Sequence, residues 1–188
     1  MNILKDETMN KQNEANQNYP VGEYSHPDII SNDHITGWIE EIEHFPKLLR
    51  ETIQGWTEEQ LSTRTKPDGW MVKQVIHHLA DSHMNSFIRF KLALTEDSPK
   101  IKPYAEDRWA ELIDGKDSNI ESSLQILEGL HKRWVVLLRS LTLDDLEKSF
   151  FHSEHNKFFK LAPTIGLYAW HGRHHLCFIQ KLKQRMKW

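Results

Sequence analysis

Residues 70–94 read WMVKQVIHHLADSHMNSFIRFKLAL. Val72, Val75, Ile76, Leu79, His83 and Phe90 recur at a period near 3.6, which predicts a long helix with one apolar face. Pro67-Asp68-Gly69 is a turn that fixes where this helix starts. Three more segments share the period. The first runs from Asn32 to Thr52 and aligns Ile35, Trp38, Ile42, Phe45 and Leu49; Pro46 inside it predicts a kink or break, because proline donates nothing to the helical ladder. Another starts at a capping box, Ser118-Asn119-Ile120-Glu121, and runs to Leu141 with Leu124, Leu127, His131, Trp134 and Leu138 facing in. The last has Pro163 near its first turn, where proline is tolerated, and runs to about Met186, closed by Lys181, Lys183, Arg185 and Lys187.

What lies between these segments is short. Thr57-Glu58-Glu59-Gln60 has capping-box form and predicts one helical turn. Phe150-Phe151 and Phe158-Phe159 flank Ser153-Glu154-His155-Asn156, the pattern of a short hairpin. The stretch around Pro99 and Pro103 reads as an exposed connection. The expectation is an all-α fold: a bundle of four antiparallel helices with a short hairpin between the third and fourth. The chain has 188 residues, 38% of them hydrophobic, including seven Trp, eight Phe and four Tyr. That suits one domain with its own core. Residues 1–18 read as a polar tail outside the fold and residues 19–188 as the single domain, entered through an extended Tyr19–Ile30 segment.

Charge and composition narrow the function. Lys+Arg number 24 against 27 Asp+Glu, a net charge of −3, so no basic excess exists to neutralise phosphates and no nucleic-acid partner is expected. No apolar run approaches the roughly 20 residues that span a bilayer, so no membrane partner is expected either. Cys177 is the one cysteine; it excludes an internal disulfide, fits a reducing compartment, and falls off the inner face as a small packed residue. Twelve histidines are the unusual feature.

The densest histidine cluster is Trp170-His171-Gly172-Arg173-His174-His175. His171 and His175, four apart, project from one helical face. At about 100° per residue that face is the inner one, because it carries Leu167, Tyr168, Phe178 and Leu182. Two inward imidazoles at this spacing suit zinc or nickel; the plainer alternative is a pair of core histidines bonded to their neighbours. His174 points away as a surface or supporting residue. A third ligand is available from the helix around residues 70–94. There His77 falls opposite the apolar face and reads as solvated, His83 falls within that face, and His78 falls at its edge beside Ser82, Asn85 and Arg89. The edge position favours His78 over His83, and Ser82-Asn85-Arg89 reads as a polar pocket wall. His131 reads as a satisfied core histidine.

The run from Gly69 to Asn85, with Tyr19-Pro20-Val21-Gly22, His131 to Leu141 and Tyr168 to His175, resembles the DinB-like superfamily in its YfiT-type branch. That branch is described both as metal-dependent hydrolases and as bacillithiol S-transferases. The resemblance spans Tyr19 to the C-terminus. It implies a four-helix bundle, a homodimer, a cytoplasmic setting and one divalent ion per chain, zinc or nickel, held by three histidines, which motif for motif are His78, His171 and His175.

Three ligands leave a coordination position open, which marks a catalytic site. Metal-bound water would hydrolyse a small substrate; a metal-bound thiol such as bacillithiol would transfer to a small electrophile. In the zinc-protease helix motif a glutamate follows the first histidine as base; here Gly172 stands there, and Glu128 is the nearest candidate base. A thiol needs a base less than water does, so thiol transfer is the favoured expectation and hydrolysis the alternative. Arg89, a forked cation, would anchor an anionic part of the thiol. A metal-stabilised dimerisation module without catalysis is a reading from another class; a fourth protein ligand would mark it.

Overall fold

The computed structural model describes residues 19–188. The expected tail, 1–18, lies outside them. Helix α1 spans Asn32–Thr52, entered through Ser31, whose hydroxyl accepts from the His34 amide while the His34 ring accepts from the Ser31 amide. Thr57 opens the short α2, Glu58–Leu61, with the reciprocal box its sequence predicts. Then follow α3, Val72–Thr95, strand β1, Lys100–Ile101, and α4, Glu106–Trp109. Helix α5 covers Glu121–Arg139 and α6 covers Leu143–Glu147. Strands β2, Ser149–His152, and β3, Lys157–Lys160, form the hairpin, and α7 is Leu161–Met186.

The long helices do not alternate in direction. Along α1 and α7, Trp38 lies against Gly166, Phe45 against Gly172, and Lys183 donates to the Thr52 carbonyl at 2.9 Å, so these two run parallel. Along α3 and α5, His77 meets Ser123 and His83 meets His131, so they are parallel too. Across the other seams the register reverses: His78 lies beside His175 while His83 lies beside Tyr168, and Arg139 pairs with Glu43 while Arg50 pairs with Glu121. The order is up-down-down-up, with α1 diagonal to α3 and α5 diagonal to α7. Simple antiparallel neighbours need short loops; here residues 53–71, 96–120 and 140–160 are long connections that cross the bundle or return along it.

Those connections explain the other departures from expectation. Residues 96–120 are mostly exposed, as expected of a connection, but Pro99 and Ile101 are buried, and β1 adds a parallel strand to β2, giving a three-stranded sheet in the order β1-β2-β3. The same connection packs a 3-10 turn, Asp114–Lys116, on α3, so every residue from Val72 to Ala80 is buried. His77 is therefore not solvated. Its Nε2–H donates to the Asp117 carbonyl at 3.0 Å and its Nδ1 accepts from Ser123 Oγ at 2.7 Å. The capping box at Ser118 does not form, because Arg50 takes both carboxylate oxygens of Glu121; Asn119 Oδ1 accepts from the Glu121 amide instead. Pro46 sits inside an unbroken α1.

The interior divides into two apolar halves, each built from all four long helices. One holds Ile42, Phe90, Trp134, Leu138 and Ile165; the other holds Leu49, Ile76, Leu79, Leu127, Ile179 and Leu182. Between them lies a layer of histidines from α3, α5 and α7. Close approach of α1 to α7 rests on Gly172, where an added Cβ would stand 2.9 Å from the Phe45 ring. Gly172→Val should cost about 1–3 kcal/mol by overpacking, read as a lower urea midpoint at unchanged slope. Gly129→Ala, on an open stretch of α5, should instead raise the midpoint, by up to about 1 kcal/mol of helix propensity.

Candidate metal centre

Three imidazoles converge in the α3–α7 seam. His78, His171 and His175 each offer a ring nitrogen, and these atoms all lie within 4.8 Å of one another. His78 Nε2 stands 3.3 Å from His171 Nε2. Two nitrogens each about 2.0–2.1 Å from one ion at the tetrahedral angle stand about 3.3–3.4 Å apart, so this spacing fits a shared ion. The i,i+4 spacing on α7 sets the second edge, with His171 and His175 ring centroids 4.6 Å apart. Burial holds the His78 ring far down, at about 4, and pushes His171 and His175 well below the usual imidazole range, with the neighbouring rings adding to it. All three are neutral at pH 7, which leaves a lone pair on each for a metal.

A second set of rings backs this cluster. His83 Nε2 lies 3.1 Å from His171 Nδ1, His83 Nδ1 lies 2.8 Å from His131 Nε2, and His131 Nδ1 lies 2.5 Å from the Ile42 carbonyl. His83 and His131 are sealed from solvent. His83 thus stands behind the cluster, turned to His171 from the side away from His78, and His131 is a satisfied core histidine. His174 is not a surface residue: it stacks on Trp170 at 4.6 Å under Tyr19 and meets Phe178 edge-on.

Beside the cluster opens a cavity of about 810 Å³, lined by His171, Ser82, Arg89, Tyr104, Glu106 and His152 among others. Ser82 and Arg89 line it together with His171. Asn85 does not line it; its amide donates back to the Asp81 carbonyl at 2.9 Å. Glu128, the candidate base, is on another face, paired with Arg50 at 2.5 Å across the α1–α5 seam. Sequence reasoning missed Tyr104, Glu106 and His152 as cavity residues. They come from the connection and hairpin that fold over the bundle, and helical periodicity carries no signal for such loops. Burial raises the Glu106 carboxyl, with Asp107 and Glu154 adding to it, and burial also raises the Tyr104 phenol. His152, Glu154 and His155 form a second convergent group at the hairpin. There burial, then the Arg89 charge, lowers the His152 ring, and the same charge works against a cation.

A family profile described as the DinB superfamily matches residues 41–179. The chain belongs to the DinB superfamily. A Bacillus cereus protein named "Putative metal-dependent hydrolase" is 53% identical over 170 residues, covering 90% of this chain and 97% of the relative. A Bacillus anthracis protein of that name is 52% identical over the same shares. YfiT from Bacillus subtilis, described as a "probable metal-dependent hydrolase with an unusual four-helix bundle topology", superposes with a TM-score of 0.89 at 44% identity, covering 92% of this chain and 99% of that one. The up-down-down-up order seen here belongs to that fold. A mycothiol-dependent maleylpyruvate isomerase matches with a TM-score of 0.59 at 14% identity, over 76% of this chain and 59% of that one, and shares the fold alone.

The buried rings link stability to pH. His78 and His131 titrate near 4 in the fold and near 6.5 when exposed, so the unfolded chain binds more protons between those values. Stability is full above about pH 6.5 and falls with pH until the folded values are reached. Metal-free protein should lose on the order of 2 kcal/mol per such ring between pH 7 and pH 5, measured as the shift in chemical denaturation midpoint.

Proposed function

We propose that this chain is a mononuclear metal-dependent enzyme in which His78, His171 and His175 hold one divalent ion, zinc or nickel. Its preferred nucleophile is a low-molecular-weight thiol such as bacillithiol, transferred to a small electrophile. The fit rests on three neutral imidazoles converging at ion-sharing distance. When bound, the ion supplies positive charge that favours the thiolate over the thiol. Everything else falls to the chain. The observation that carries the choice of a thiol is the make-up of the site: the converging group contains only histidines, and Glu128 is committed to Arg50. Water needs a base beside it more than a thiol does.

The cavity supports a substrate in two parts. His171 faces one end, and the walls bear charges of both signs, Arg89 and Arg108 against Glu106, Asp107 and Glu154. Arg89 presents a forked donor suited to a carboxylate, while Ser82 and Tyr104 offer hydroxyls beside it. Together they would orient a polar thiol so that its sulfur lies toward the three histidines. The thiol proton leaves to solvent, the sulfur–carbon bond forms, and the electrophile's leaving group departs into the same cavity.

A second reading is hydrolysis of a small substrate, which the relatives' name favours. One observation gives it a base: Glu106 lines the cavity with a raised carboxyl pKa, the property expected of a general base at neutral pH. The assay that separates the two sets metal-loaded protein with bacillithiol and an electrophile beside a panel of esters and amides. Thiol transfer without ester or amide turnover supports the first reading; the reverse, lost in Glu106→Gln, supports the second.

His78→Ala, His171→Ala and His175→Ala should each abolish stoichiometric metal and turnover together, by metal content per chain and rate. Undiminished metal in any of them removes that residue from the set. Arg89→Ala should raise KM for the thiol at least tenfold, whereas Glu128→Gln should leave kcat and KM unchanged.

A further inference from the structure

The rings behind the cluster hold an ordered pattern of protons. Pro46 has no N–H, so the Ile42 carbonyl four residues earlier in α1 lacks its intrahelical partner. That carbonyl receives His131 Nδ1 at 2.5 Å across the α1–α5 seam. A carbonyl only accepts, so Nδ1 of His131 carries the proton and its Nε2 is bare. His83 Nδ1, 2.8 Å from that bare nitrogen, must donate, which leaves His83 Nε2 bare. His171 Nδ1, 3.1 Å away, must then donate to it, which leaves His171 Nε2 with its lone pair. That Nε2 is the atom facing His78 Nε2 at 3.3 Å. Each step follows from one proton per neutral imidazole, and His83 and His131 sit at 0% and 1% exposure, out of reach of water.

We propose that Ile42 O, His131 and His83 form a tautomer relay that fixes His171 with Nδ1 protonated and Nε2 turned bare into the three-histidine cluster, with Pro46 keeping the relay's end open. This rests on the reading of that cluster as a metal site. His131 and His83 are positioning residues: neither reaches the cluster's interior, and each acts by setting the ring beyond it. The relay joins three helices, so the donor set on α7 is ordered from α1 through α5 and α3. Partners of this kind behind a ligand typically change metal affinity by 10–100-fold.

The test begins on the metal-free full chain. Two-bond proton–nitrogen couplings on histidine-labelled protein report which nitrogen of each ring is protonated, and His131, His83 and His171 should all be Nδ1–H. Zinc affinity at pH 7, by chelator competition, should fall 10–100-fold in His131→Leu, with His171 becoming a tautomer mixture. His131→Gln offers an amide donor for Ile42 O and an oxygen for His83 Nδ1–H, so it should recover most of the affinity and the single tautomer. Pro46→Ala restores an N–H that competes for Ile42 O and should shift both readouts in the His131→Leu direction. A wild-type His171 protonated on Nε2 overturns the relay. So does zinc binding of unchanged strength in a helical His131→Leu or Pro46→Ala protein. Wild-type protein that shows the three tautomers yet binds no zinc upholds the relay and refutes the metal-site reading instead.

Discussion

Holding five imidazoles uncharged in the middle of a helical bundle, His78, His83 and His131 buried and His171 and His175 half-buried, is the constraint on which this structure turns. A buried ring without a partner costs on the order of 1–3 kcal/mol, and a buried charge costs more. His83 and His131 meet that demand through one another, His171 and the Ile42 carbonyl. His78, His171 and His175 meet it only in part, since their nitrogens face one another. The apolar residues on either side, Trp134 and Phe90 on one and Leu79 and Leu127 on the other, hold the layer in register. Specificity of helix alignment thus comes from a polar plane, and stability comes from the two halves that clamp it.

Much of this was legible in residue spacing. Alternation at 3.6 residues located all four long helices within a few residues, and the His171–His175 separation put two rings on one inner face. The edge position of His78 separated it from His83 by no more than an angle, yet the structure places the two on different sides of His171. What spacing could not show is which helix lies beside which. A single-face reading of α3 left His77 in water, whereas α3 is covered by residues 96–120 as well as by α5 and α7. Pro46 read as a break because a missing N–H is visible in sequence, but the group that uses the freed carbonyl comes from another helix.

The cavity shows the same division of labour. Helices supply the rigid part, His171, Ser82 and Arg89, whereas Tyr104, Glu106 and His152 come from connecting segments laid over the bundle end. Positions on the frame can be derived from periodicity. The opposing wall depends on how long connections return along the bundle, and there variation between relatives can retune the substrate without moving the metal-facing rings.

Parallel pairing of α1 with α7 has a consequence for how the protein is made. During synthesis α1 is complete once Thr52 has been added, but the helix that covers its Trp38–Phe45 face starts only at Leu161. At roughly 5–20 residues per second that face waits on the order of ten seconds for its partner. An up-and-down bundle would let each helix dock on the one just finished; here the nascent chain carries exposed aromatics until α7 has been made. High sequence separation of this kind slows folding, and it lengthens the time for which the α1 face stays uncovered.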